Sequence, residues 1–170
     1  LSNQLQTGTY GSTAAIGSLP TALARANDAG GGFPPQLIEK ASLTGFEALV
    51  RGAGHDDPHA FYYGEQTDET VTLFTEWARK AADSLAFAIT ATASVLDLDS
   101  VVIAGGLPDD RVSDLVAFTR KMLAEYSSKG IHIPQIHQAQ IGITARALGG
   151  AYLPIYKHFS LERDALLKNA

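Results

Sequence analysis

In the stretch SVLDLDSVVIAGGLPDD, Ser94 to Asp110, a short β-branched run, Val101-Val102-Ile103, leads straight into a glycine pair, Gly105-Gly106, and then two aspartates, Asp109-Asp110. Glycines at the carboxyl end of a buried parallel strand let backbone N–H groups approach a phosphate or an adenosine ribose without Cβ obstruction. The same pair also serves as a strand-to-helix turn needing positive φ, and aspartates that cap a helix repel a polyphosphate. His55 and His59, four apart around Asp56-Asp57, have metal-ligand residue types, but Gly54 and Pro58 oppose the helix that would align them, so a solvated loop is expected. His132, His137 and His158 show no ligand spacing. Trp77 and the Phe61-Tyr62-Tyr63 cluster have the side chains to stack on a sugar face, or to pack in a core or an interface. No Ser-His-Asp or paired-carboxylate constellation stands out by spacing, so no catalytic residue is assigned.

The elements that must position these residues follow from the hydrophobic pattern. Leu37, Ile38, Ala41, Leu43, Phe46, Leu49 and Val50 recur at helical spacing, and Gly52-Ala53-Gly54 stops them. The segment GHDDPHAFYYGEQ then reads as an irregular loop. Thr67 is a helix cap, with Asp68 and Glu69 in the positive first turn, and the helix is expected to run to about Leu96. Its inward stripe is Val71, Phe74, Ala78, Ala81, Leu85 and Ile89, and its second half, apolar or small on every side, needs cover all round. Val101–Ile103 reads as a strand buried on both faces. Leu115, Val116, Met122, Leu123 and Tyr126 mark a second helix. Ile131 and Ile133 alternate in a further strand, which Pro134 restricts to an edge or a bulge. A last helix follows Gly142, bent by Pro154, with Gly149-Gly150 where another backbone comes close. Upstream, Leu5-Gln6-Thr7 suggests an edge strand and Asn27 to Pro35 a flexible loop. A layered α/β arrangement results.

Composition narrows the classes. With 170 residues and 45% hydrophobic content the chain supports one core. A net charge of −5, with 13 scattered Lys and Arg, makes it a poor nucleic-acid binder by itself. The absence of cysteine removes disulfides, thiolate zinc sites and cysteine nucleophiles together and suits a reducing compartment. The uncharged stretch Ser84 to Leu96 is too short and too rich in Thr, Ser and Ala for a bilayer, so no membrane partner is expected and the cytoplasm is the expected location.

Taken in order, the long helix, VLDLDSVVIAGGLPDD, an amphipathic helix, a strand and IGITARALGGAYL resemble the carboxyl-terminal half of the ROK family of repressors, open reading frames and sugar kinases. The resemblance covers nearly the whole chain and implies an α/β fold of the ribonuclease H-like, actin/hexokinase-like ATPase class, with residues 1–170 forming one carboxyl-terminal lobe. GTYGSTAAIGSLPT resembles the family's sugar-contacting loop, but Ala15 stands where the family carries a sugar-holding Glu and Ser18 where it carries a His. AGGGFPPQLIEKAS replaces the cysteine-rich zinc motif, so zinc is expected to be absent. Of the family's sugar-binding acids, Glu39 in QLIEKAS has a match, and its carboxylate suits directional bonds to hydroxyls; a solvated helix glutamate beside Lys40 is the alternative. Gly105 and Gly106 match the nucleotide-binding glycines.

Two function classes follow from the resemblance. One is the sugar- or sugar-phosphate-sensing lobe of a ROK-type transcriptional regulator, touching DNA only through a segment outside this chain. The other is the matching lobe of an ATP-dependent sugar kinase, in which case ATP and Mg are implied; the family's catalytic Asp and first phosphate loop belong to its amino-terminal half. The departures at Ala15 and Ser18 favour the regulator, because phosphoryl transfer depends on sugar positioning. Family members also pair through this lobe, so a homodimer is expected, with Phe61, Tyr62, Tyr63 and Trp77 as its aromatic anchors.

Overall fold

The computed structural model describes residues 9–10, 15–21, 34–126, 129–142 and 144–159. The expected strand at Leu5–Thr7, most of the loop from Asn27 to Pro35 and the side chain of His158 lie outside the described residues. A 3-10 turn, Ile16–Ser18, precedes α1 (Leu37–Ala41), α2 (Leu43–Gly52), α3 (Ala60–Tyr63), α4 (Asp68–Ala93), β1 (Ser100–Ile103), α5 (Asp109–Leu123), β2 (Gln135–Gln138) and α6 (Ala145–Phe159).

The single helix expected from Leu37 to Val50 is two helices. Ser42 is extended, and its hydroxyl accepts from the Gly45 N–H at 3.3 Å, so a local side-chain bond caps α2 and interrupts the helical ladder. A Cβ on Gly45 would stand 2.7 Å from the Glu39 carbonyl oxygen and 3.7 Å from Trp77 Nε1, so this position needs glycine for close approach. The chain leaves α2 through Gly54 at φ 94°, a left-handed residue that ends the helix where the glycines predict it. The loop expected between Gly54 and Gln66 contains one helical turn, α3.

Helix α4 begins as its cap predicts, with Thr70 N–H donating to Thr67 Oγ1 at 3.2 Å, and ends at Ala93, short of Leu96. Ala78, Ala81, Ala82 and Ala86 are fully buried, and their small side chains let α5 pack closely through Val112, Leu115, Val116 and Leu123. Of the expected inward stripe, Phe74, Ala78, Ala81 and Ile89 are buried and Leu85 partly so, while Val71 is 41% exposed and Thr70 beside it is buried instead. The aromatic residues close over this core. Phe46 packs on Phe74, Trp77 and Tyr62 at centroid distances of 5.9, 5.4 and 6.0 Å. Phe61, Tyr62 and Trp77 are therefore interior residues, which corrects the expectation that they anchor a dimer; only Tyr63 of that set is exposed.

The strands β1 and β2 are parallel, with Val101 opposite Ile136 and Ile103 opposite Gln138, and α5 makes the crossover. Ile103 and Ile136 are buried, Val101 partly so, while Val102 is 60% exposed. β1 is thus covered on one face among the described residues, not on both as its uniform β-branching predicts. β2 starts after Pro134, leaving Ile131 and Ile133 in the approach to the strand, because proline cannot donate to a ladder. On α6, Cβ atoms at Gly149 and Gly150 would meet nothing within 4 Å, so no backbone approaches there among the described residues, and Leu148, Leu153 and Ile155 are exposed. No described helix is long and apolar enough to cross a membrane.

Two predictions follow from this packing. Gly45→Ala places a methyl against a backbone oxygen and is expected to lower stability by about 1–3 kcal/mol. Gly52→Ala, with nothing within 4 Å, is neutral or stabilising by up to about 1 kcal/mol. Urea denaturation midpoints of the two variants check the contrast. Burial, and then the charge of Glu47, raises the Tyr62 pKa above 10.0; burial, and then the hydrogen bond to Asp83, does the same for Tyr126. An acid whose folded pKa is raised contributes stability that is intact below the unfolded value and lost as pH rises through the folded one. Urea midpoints are therefore expected to hold steady to about pH 9.5 and fall above about pH 10, with a shallower fall in Tyr62→Phe.

Candidate ligand-binding cleft

The candidate cleft lies where the two parallel strands end. After Ile103 the chain turns through Gly105, Gly106, Leu107 and Pro108 into α5, and after Gln138 it turns through Gly142 and Thr144 into α6. Tyr63 from α3, Leu107, Pro108, Asp109, Gly142 and Thr144 line a cleft of about 330 Å³ between these turns. This is the place at which layered α/β proteins hold ligands, outside the carboxyl ends of parallel strands.

Three long-range hydrogen bonds fix its walls. The Tyr63 hydroxyl donates to the Gly106 carbonyl at 2.6 Å, Gln138 Nε2 donates to the Asp109 carbonyl at 2.8 Å, and Gln66 Nε2 donates to Asp110 Oδ2 at 3.0 Å. Neither Gly105 nor Gly106 has positive φ, so the turn does not use the left-handed conformation that glycines often supply. Close packing accounts for one of them: a Cβ on Gly106 would stand 3.3 Å from Leu43 Cδ1, while one on Gly105 would meet nothing nearer than 4.0 Å. The glycine turn is thereby seated on the first residue of α2.

Glu39 is exposed on α1, where its Oε1 accepts from the Gln36 N–H at 3.2 Å in a capping box. Its carboxylate thus already holds the start of the helix. The turn carrying Ala15 and Ser18 lies beside it: Leu37 N–H donates to the Leu19 carbonyl at 2.8 Å, and Pro20 bridges to Gln36. The fold brings together Glu39, Ala15 and Ser18, which the sequence resemblance assigns to one sugar-contacting region. The chain continues from this region through Ser42 to Leu43, which meets the glycine turn at Gly106; Glu39 itself does not line the cleft.

The histidines do not converge. His55 Nε2 meets Glu69 Oε1 at 3.0 Å and its ring lies 4.5 Å from Phe61, while the His59 ring lies 5.2 Å from Tyr62. Both serve the packing of α3 against its neighbours. His132 and His137 are exposed. Among the described residues no three His, Asp or Glu side chains are grouped to hold a metal. A second groove, about 450 Å³, runs between the end of α5 and β2, where Arg120 Nη2 donates to the Ile136 carbonyl at 2.5 Å. It contains none of the residues singled out from the sequence for ligand chemistry except His137.

The described lining of the cleft carries an acid and no cation. Asp109 puts a carboxylate on the cleft wall, with Oδ1 3.1 Å from where a Cβ on Gly142 would lie, and no Lys, Arg or His is among the described lining residues. What they offer is an acceptor carboxylate, a Thr144 hydroxyl and a half-exposed tyrosine ring, groups that suit hydroxyl-rich ligands. Asp109 was not among the binding residues read from the sequence, and Tyr63 was read there only as one of a cluster able to stack on a sugar or pack. Their partners are distant in the chain: 43 residues separate Tyr63 from Gly106, so no local pattern marks the contact.

No protein-family model matches this chain. No curated protein matches it either. Among solved structures it is similar to the ROK hexokinase from Thermus thermophilus, at 21% sequence identity and a TM-score of 0.56. The match covers 91% of this chain and 52% of that one, so the chain has the fold of about half of that hexokinase and bears out the resemblance to the ROK family.

Proposed function

We propose that this chain is the sugar-sensing, dimerising carboxyl-terminal lobe of a ROK-type transcriptional regulator, built on a ribonuclease H-like fold and using Glu39 to accept sugar hydroxyls. Residues 1–170 make up the lobe, and DNA is read by a segment outside it. The observation that carries the reading is the Asp109 carboxylate on the wall of the strand-end cleft, because a carboxylate there repels a polyphosphate. The turn holding Ala15 and Ser18 supports it further, since it offers neither the acid nor the imidazole that positions a sugar for attack. Gly105 and Gly106 then serve to shape the cleft. The second reading, the corresponding lobe of a sugar kinase, is favoured by the hexokinase identity of the structural neighbour. A homodimer, on this proposal, forms through residues other than Phe61, Tyr62 and Trp77, which are core.

The test is calorimetry of the chain with a panel of hexoses and N-acetylhexosamines, alongside measurement of ADP release with Mg and ATP. Saturable sugar binding without ADP release is expected. Glu39→Gln keeps the capping box, because glutamine also serves there, and removes the charge. It is expected to weaken binding about ten- to a hundredfold, the loss of one charge-assisted hydrogen bond. Sugar-dependent ADP release overturns the regulator reading in favour of the kinase. Binding that Glu39→Gln leaves unchanged removes Glu39 from the site.

A further inference from the structure

Away from the cleft, the end of α5 and the outer edge of β2 enclose the second groove, of about 450 Å³. The strand register decides which backbone groups face outward. Gln135 N–H donates to the Asp99 carbonyl and Ala139 N–H to the Ile103 carbonyl, so Gln135 and His137 bond to β1 while Ile136 and Gln138 turn their backbone groups away from it. Arg120 meets that outer edge, its Nη2 donating to the Ile136 carbonyl at 2.5 Å. Protecting the edge needs only this one bond, because Pro134 already limits pairing there. The rest of the exposed guanidinium has no acceptor and no acid partner among the described residues. The groove beside it is mostly apolar: Leu123, Ile133 and Ile136 lie with the Tyr126 ring, whose hydroxyl donates to Asp83 Oδ1 at 3.1 Å. Although the chain has a net charge of −5, no Asp or Glu is among the described lining residues of this groove.

We propose that this groove binds a small amphipathic carboxylate, whose apolar body lies against Leu123, Ile133 and Tyr126 and whose anionic end is held by Arg120. Charge and shape point the same way. A concave, mostly apolar surface of this volume with one oriented polar group has the make-up of a small-molecule site. A guanidinium already anchored at one nitrogen is oriented before a carboxylate reaches its remaining N–H groups, and its planar donors match that acceptor. His137, also in the lining, is neutral or positive and does not oppose an anion. The inference is independent of the sugar reading, because Arg120 lies near the end of α5 and Asp109 at its start, which sets the groove and the cleft at opposite ends of that helix.

The experiment titrates the full chain with benzoate and octanoate, and with benzamide, acetate and phenyl phosphate for comparison, followed by ligand-observed NMR; circular dichroism confirms that each variant is folded. Saturable, salt-dependent binding of benzoate and octanoate at millimolar ligand is expected, with benzamide, which lacks the charge, and acetate, which lacks the apolar body, bound far more weakly. Arg120→Gln is expected to weaken benzoate binding about ten- to a hundredfold, the loss of one charge-assisted contact. Ala124→Phe, at an exposed lining position, places a ring in the groove and leaves Arg120 in place; it is expected to abolish binding and provides the readout should Arg120→Gln not fold. The proposal is overturned if neither carboxylate binds saturably, if benzamide binds as well as benzoate, or if phenyl phosphate binds more tightly than either carboxylate. Binding that a folded Arg120→Gln or Ala124→Phe variant leaves unchanged overturns it too, since the ligand then lies elsewhere.

Discussion

The close approach of α5 to α4 is the constraint on which the rest depends. Four fully buried alanines, Ala78, Ala81, Ala82 and Ala86, keep α4 slim, and Val112, Leu115 and Val116 of α5 are buried in the same core cluster. Because α5 is also the crossover between β1 and β2, its seating fixes where both strands end. Larger side chains at the alanine positions would lift α5, and with it the first turn that carries Asp109. The cleft wall is in this sense a consequence of small residues buried well away from it.

A second chain of contacts reaches the cleft from the other side. The interruption at Ser42 gives α1 and α2 separate directions, and Gly45 lets the Glu39 carbonyl lie against the start of α2. Leu43 then meets Gly106, and Phe46 one turn later enters the aromatic cluster with Phe74 and Trp77. Burying two such rings completely contributes about 1.5–3 kcal/mol each, which anchors α2 firmly enough to hold the glycine turn in place. The cost shows in the same region: Trp77 Nε1 and Arg111 Nε are buried without hydrogen-bond partners. Arg111 recovers part of that cost by stacking on Phe74.

Local chemistry was legible in the sequence, and long-range placement was not. The start of α4 at Thr67 and the end of α2 at Gly54 follow from bonds and backbone angles within a few residues, and the sequence marks both. The order of elements around Val101–Ile103 carried the family resemblance, and the fold of the solved hexokinase agrees with it. The split at Ser42 escaped notice because the apolar spacing of Leu37 to Val50 runs through it unbroken. The destination of Phe61, Tyr62 and Trp77 depended on where α3 and α4 meet, which aromatic composition does not encode. The one-sided cover of β1 escaped for a similar reason: three β-branched residues in a row read alike whether Val102 is buried or exposed.

The same division applies to the site. Glu39 and the glycine pair were singled out from their types and order, and the structure adds their surroundings. Glu39 spends one carboxylate oxygen on its own helix, which fixes how its side chain lies. Gly106 is held by Leu43 and Tyr63 rather than by an unusual backbone angle, so it contributes shape without left-handed backbone. Asp109, read from the sequence as a helix-starting residue that repels polyphosphate, stands on the wall of the cleft itself.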